Sequence, residues 1–253
     1  MDRLIYTAMT GASEALDQQA VIANNLANVS TTGFRAQLAN FRDVPMSFGD
    51  GSSVNDLTTR TFVLSATPGA DMTPGAISRT GNPLDIAIQG QGFMAVQDAN
   101  GNEAYTRAGN LHVDENGQLM TAENQQVIGS GGPIAVPPGS AVTIGSDGTV
   151  SAISPGSQPN AIAMIDQIKF VNPPAGTLTR SDDGLFRTAD GNPADADPTV
   201  QIATESLEGS NVNPVAAMVS MITNARQFQM QTQLLKTADT NEQSANQLLQ
   251  FSS

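Results

Sequence analysis

The sequence predicts an α+β chain: long N- and C-terminal helices forming a coiled-coil-like inner domain, an extended linker, and a central, mainly-β domain. Three observations lead there. Both ends are long stretches almost free of proline and glycine, both carry small and apolar residues at three-four spacing, and the middle is cut by Asn-Gly and Asp-Gly dipeptides. Residues 1–34 read as the N-terminal helix of the inner domain, 35–79 as linker, 80–205 as a β-rich outer domain and 206–253 as the C-terminal helix of the inner domain.

Between Asp2 and Val29 there is no proline and one glycine, and Ile5, Ala8, Ala12, Ala15, Ile22, Leu26 and Val29 recur at the spacing of a helical seam, interrupted by polar Gln19. A continuous helix here is ~40 Å long. Thr31-Thr32-Gly33 stops it, because glycine readily takes the left-handed conformation that ends helices. Arg35 to Arg79 contains MSFGDGSS and ATPGADMTPGA, which reads as extended chain with a short strand at Arg60 to Leu64. From there to about residue 205, Asn100-Gly101, Asn116-Gly117, Asp147-Gly148, Asp183-Gly184 and Asp190-Gly191 separate short alternating runs such as Leu84 to Ile88, Phe93 to Val96, Ala141 to Ile144 and Thr149 to Ile153. That is the pattern of hairpins.

After Pro214 the chain has no further proline or glycine up to Phe251, and Met218, Met221, Ile222, Ala225, Phe228, Leu235, Ala238, Ala245 and Leu249 form an apolar stripe. Pro214 suits the first helical turn and Asn213 the N-cap, so a helix ~55 Å long is expected. Its polar face holds 10 Gln and Asn but only four charged residues, Arg226, Lys236, Asp239 and Glu242. An amide-rich face fits close packing against copies of itself or a wall facing a polar channel better than an isolated solvated helix. Ile5, Ala12, Ile22, Leu26, Met218, Ile222, Phe228, Leu235 and Leu249 are the expected packing residues.

Composition narrows the function. With 24 acidic and 11 basic side chains the net charge is −13, and the scattered Lys and Arg argue against nucleic acid as partner. The absence of cysteine removes disulfides and thiolate chemistry, and a single histidine, His112, leaves little for a zinc site or a catalytic triad. Apolar runs are too short for a membrane helix, and the start lacks the apolar core of a secretory signal.

Local candidates for chemistry are weak. Gly90-Gln91-Gly92 begins like a dinucleotide loop but lacks the third glycine and runs into a strand-like FMAVQD, so a turn is expected. Asp98 to Glu103 and Asp114 to Gly117 offer oxygen ligands without the glutamate that closes an EF-hand loop, and read as acidic hairpin tips. No catalytic, cofactor-binding or metal-binding residue is assigned, and no enzyme activity is expected.

At Ala23-Asn24-Asn25-Leu26-Ala27-Asn28-Val29-Ser30-Thr31-Thr32-Gly33-Phe34-Arg35 the chain closely resembles the ANNLAN-x-x-T-x-GF-[KR] signature of bacterial flagellar basal-body rod and hook proteins. Gly90-Gln91-Gly92-Phe93 with Tyr105-Thr106-Arg107-Ala108-Gly109-Asn110 is similar to that family's central GxGFF…YTRxGxF pattern, and Ser210-Asn211-Val212-Asn213-Pro214-Val215 to its C-terminal SNVxPV segment. Two departures are a Met94 in place of the second phenylalanine and an Ala217 where the family has an acidic residue. The resemblance implies a structural rod subunit, most like proximal rod proteins. It would polymerise through its terminal helices into a hollow helical shaft around the export channel. Its implied partners are copies of itself, other proximal and distal rod proteins and the flagellar type III export apparatus. It implies a place in the rod spanning the periplasm, reached without a cleaved signal, no cofactor and no membrane insertion. A distal rod subunit and a secreted adhesin or glycan-binding protein are the alternatives.

Overall fold

The computed structural model describes residues 2–38, 41–45, 61–65, 69–154, 162–181 and 183–250. The chain divides into two compact units, one made of residues 1–27, 37–69 and 213–253, the other of residues 28–36 and 70–212.

The first unit holds the two long helices, α1 (Asp2–Ala27) and α2 (Pro214–Gln250), and an antiparallel hairpin of Phe41–Pro45 with Thr61–Ser65. The linker residues 46–60 lie outside the described residues. At the start of α2, Asn213 Oδ1 accepts from the backbone N–H of Val215 at 3.0 Å and of Ala216 at 3.1 Å, the cap expected from its place before Pro214. The helices pack against each other. Ala8, Ala15 and Ile22 are buried on α1, seven residues apart, and Asn224 and Ala238 on α2. Asn224 Nδ2 donates to the Ala15 carbonyl at 2.6 Å.

The coiled-coil inner domain expected from the sequence is not formed. Of the packing residues expected on α2, Met218 and Ile222 are exposed, as are Val215, Val219, Met230 and Leu234 beside them and Met9 and Leu16 on α1. The buried contact keeps only the small members of the expected seam, Ala8, Ala15 and Ala238, with Ile22 and one residue outside it, Asn224. Periodicity placed the stripe on one face of α2, but small and amide side chains let the two backbones approach, and that contact decides which face is covered.

The second unit is built of short antiparallel strands. Phe93–Gln97 lies centrally, pairing with Glu103–Thr106, Gln126–Gly129 and Phe170–Val171. Ala141–Ile144, Thr149–Ile153 and Ala163–Gln167 form a separate three-stranded sheet. Ile86–Gln89 pairs with Gln201–Thr204, and Ile77–Arg79 with Ser206–Glu208. One large apolar cluster runs through Ile86, Met94, Leu119, Val127, Val150 and Ile202, and a smaller one joins Phe93, Ala95, Tyr105, Val171 and Phe186. Phe93 and Phe186 tilt together with ring centroids 5.1 Å apart.

Candidate functional site

The residues picked out by motif fall into two groups. In the first unit, Asn25 uses its side-chain amide as a strand would use its backbone: Nδ2 donates to the Gln37 carbonyl at 2.9 Å, and Oδ1 accepts from the Gln37 N–H at 2.7 Å. An asparagine supplies both a donor and an acceptor at this length, which explains its place near the end of α1. Asn24 and Ala27 are exposed, and Leu26 is half-buried.

In the second unit the motif residues converge. Asn28 begins the turn that follows α1, accepting from Thr31 N–H at 3.2 Å. Gly33 then takes φ +68, and a Cβ there would sit 2.3 Å from the Arg107 carbonyl carbon. Only glycine meets both demands. Its N–H donates to the Glu208 carbonyl at 2.8 Å. Phe34 and Arg35 are buried next in the chain, and Arg180 lies over the Phe34 ring, 4.4 Å from its centroid. Arg180 also donates to the Arg35 carbonyl at 2.8 Å.

Glu208 is the centre of this arrangement, with a fully buried side chain. Its Oε2 accepts from Arg107 Nε at 2.8 Å, while Oε1 accepts from the Gly75 N–H at 2.9 Å and lies 2.7 Å from Arg35 Nη1. The rest of the Arg107 guanidinium is held by the carbonyls of Gly92, Ile88 and Gly90, at 2.5, 3.0 and 3.1 Å. Burial pulls Arg107 below its ordinary pKa, and the Glu208 charge opposes that. The Gly90-Gln91-Gly92 turn therefore presents acceptors to a cation, the opposite of a loop that cradles phosphate. Gly109 approaches the Ile86 carbonyl so closely that a Cβ would lie 1.8 Å from its oxygen.

Asn211 closes the group. Its Oδ1 accepts from the Ala36 N–H at 2.7 Å, its Nδ2 donates to the carbonyls of Asp71 and Thr73 at 2.9 and 3.0 Å, and its own N–H donates to the Phe34 carbonyl at 3.3 Å. Tyr105, buried in the smaller core, donates to Glu103 Oε1 at 2.9 Å and accepts from the Ala194 N–H at 2.6 Å. Burial, with Glu103 adding to it, pushes its hydroxyl up to about 12.

Of the remaining motif positions, Val212 is half-buried and Pro214 exposed. Among the packing residues, Ile22 is buried, Ala12, Phe228 and Leu235 are half-buried, and Met218 and Ile222 are exposed; the side chains of Ile5 and Leu249 lie outside the described residues. Sequence reasoning missed Glu208 and Asn224. The only signal for Glu208 was indirect: Arg35 and Arg107, both beside motif glycines, call for a carboxylate when buried.

Among the described residues no group of three or more His, Cys, Asp or Glu is placed to hold a metal ion, and no helix is long and apolar enough to cross a membrane. The chemistry available is that of a packing junction. Most of its donors and acceptors are turned on one another, and most of the exposed large apolar side chains sit on the helices.

Three family profiles match the chain: residues 5–35 match one described as flagella basal body rod protein, residues 87–152 the D1 domain of flagellar hook protein FlgE/F/G, and residues 203–248 the C-terminal part of flagellar basal body rod FlgEFG proteins. Over the whole length of both chains it is 53% identical to the flagellar basal-body rod protein FlgF of Salmonella typhimurium and 50% identical to FlgF of Escherichia coli. It is 33% identical to the rod protein FlgG of Buchnera aphidicola from Schizaphis graminum, over 96% of this chain and 98% of that one. The matched segments include the junction residues Gly33, Arg35, Arg107 and Glu208, and the chain belongs to the flagellar basal-body rod protein family.

Proposed function

We infer that this chain is a structural subunit of the flagellar basal-body rod, and that it enters the rod through the apolar side chains its terminal helices leave exposed. The observation that carries this is the set Val215, Met218, Val219, Ile222, Met230 and Leu234, each at least half exposed along one helix. Exposed apolar surface on that scale marks an interaction site. Burying each such side chain contributes ~1.5–3 kcal/mol, so neighbouring subunits that cover several at once offset the side-chain entropy lost in the contact. Non-closing contacts of this kind generate a helical rod rather than a ring.

The finer reading is a proximal rod subunit, supported by 53% identity to a FlgF against 33% to a FlgG. In this reading the helices line the export channel, and the subunit reaches the periplasm through the flagellar type III apparatus without a cleaved signal. Ile5, Ala12, Leu26, Phe228, Leu235 and Leu249 complete the contacts between neighbours. Peptide mass spectrometry on hook and basal-body particles, before and after the hook and distal rod are stripped away, is the test. Retention with the inner fraction is expected. Loss with the distal rod makes this a distal subunit, and absence from every particle ends the rod reading. Met218→Asp with Ile222→Asp is expected to abolish incorporation while leaving the subunit folded; normal assembly would show that this face of α2 is not the contact.

A further inference from the structure

The one carboxylate at the junction faces two guanidiniums. Arg107 has all of its nitrogens engaged, on Glu208 and on three backbone carbonyls. Arg35 does not. Its Nη1 is within ion-pair distance of Glu208 Oε1 but outside hydrogen-bond angles, and its Nε has no acceptor among the described residues, although the side chain is only 1% exposed. A buried N–H without an acceptor is an exception that calls for a cause, even where an ion pair to Glu208 offsets part of the lost hydration.

Beside it lies a cavity of about 90 Å³ lined by Arg35, Arg107, Gln91, Asn172, Phe93 and Met72. Two guanidiniums and two carboxamides meet there between apolar walls, and no carboxylate is among the lining residues. A water needs roughly 10–15 Å³ on this measure, so the space takes a small group and excludes a nucleotide or a sugar chain. The planar fork of a guanidinium matches the two oxygens of a carboxylate. We propose that this cavity binds one carboxylate group, seated on Arg35 with the positive charge of Arg107 beside it. That group comes either from a small free carboxylic acid or from an acidic side chain of a neighbouring copy, of which each chain carries 24.

Formate is the probe. In the full-length chain labelled with ¹⁵N-arginine, the Arg35 Nε–H resonance is expected to shift saturably with sodium formate at fixed ionic strength and not with sodium chloride. In Gln91→Glu, at an exposed position that tolerates substitution, a tethered carboxylate competes for the site and is expected to weaken the apparent formate affinity at least tenfold. A shift that never saturates, one that chloride reproduces, or an unchanged response in Gln91→Glu overturns the proposal. Density in the assembled basal body separates the sources. A side chain entering from a neighbouring copy names one and a discrete untethered anion the other, whereas water alone in the cavity rejects the site.

Discussion

Arg107 Nε donates to Glu208 Oε2 at 2.8 Å, joining residues 101 positions apart in the chain, and neither side chain is more than 2% exposed. With Arg35 on the other carboxylate oxygen and Gly33 on the Glu208 backbone, one residue gathers the segment that follows α1, the segment just after strand Glu103–Thr106 and the segment that leads towards α2. All four of these positions lie in the second unit.

Replacing Glu208 by glutamine removes the negative charge and leaves two guanidiniums buried. Breaking a buried pair from one side costs about 3–5 kcal/mol. Urea unfolding followed by Tyr105 fluorescence reads this directly, because the chain has no tryptophan and only two tyrosines, one of them buried in the second unit. A loss below about 1 kcal/mol would show that the pair contributes little beyond the surrounding packing.

Gly33→Ala meets both an unfavourable backbone conformation and the Arg107 backbone, whereas Gly191, at φ +73, has nothing within 4 Å of its would-be Cβ. Left-handed backbone alone costs an alanine about 1–2 kcal/mol. Gly191→Ala is expected to show that cost and no more, and Gly33→Ala at least twice as much, measured as the difference in Tm. Equal effects would mean that the tight contact at Gly33 relaxes freely.

Arg187 holds Asp98 at 2.8 Å and Asp183 at 2.7 Å, and its hydrogen bonds keep both carboxyls below their ordinary value. Folding therefore favours their ionised form. Their contribution is complete above the unfolded carboxylate pKa of about 4 and is lost as pH falls through the lower folded values. The Tm gap between the native chain and Arg187→Gln should be widest near pH 6 and shrink through that acid window. A gap that stays constant would assign the effect of Arg187 to packing.

Asn224 is 3% exposed and donates to the Ala15 carbonyl between the two helices. Asn224→Ala is expected to cost the helix pair about 1 kcal/mol. Hydrogen exchange should quicken around Ala15 and Asn224 while the β strands of the second unit keep their protection. Unchanged exchange on α1 would show that the bond is incidental.

Much of the local structure was legible because local rules govern it. The Asn213-Pro214 cap and the positive-φ turns at the Asn-Gly and Asp-Gly dipeptides act within a few residues and are found in the structure, whereas Gly33 takes its left-handed conformation six residues beyond the end of α1 and so does not stop that helix. The motif residues were visible as motifs, but their meeting place was not. Nothing near Asn25 in the sequence says that it serves Gln37, and nothing near Glu208 names its arginines. In Ser206–Glu208 the alternation even runs against expectation: Ser206 and Glu208 are buried, and Leu207 is half-exposed.

By itself, the sequence determined that both ends are helical, that the middle is β-rich and that this is a rod-family chain, since helix period, turn chemistry and motif spelling are all properties of neighbouring residues. Only the tertiary structure decided which faces are covered. Apolar periodicity shows where a face exists but not what lies opposite it. Small residues and Asn224 won the helix contact by allowing close approach, leaving Met218 and Ile222 outside, and two distant arginines made the interior the favourable place for Glu208.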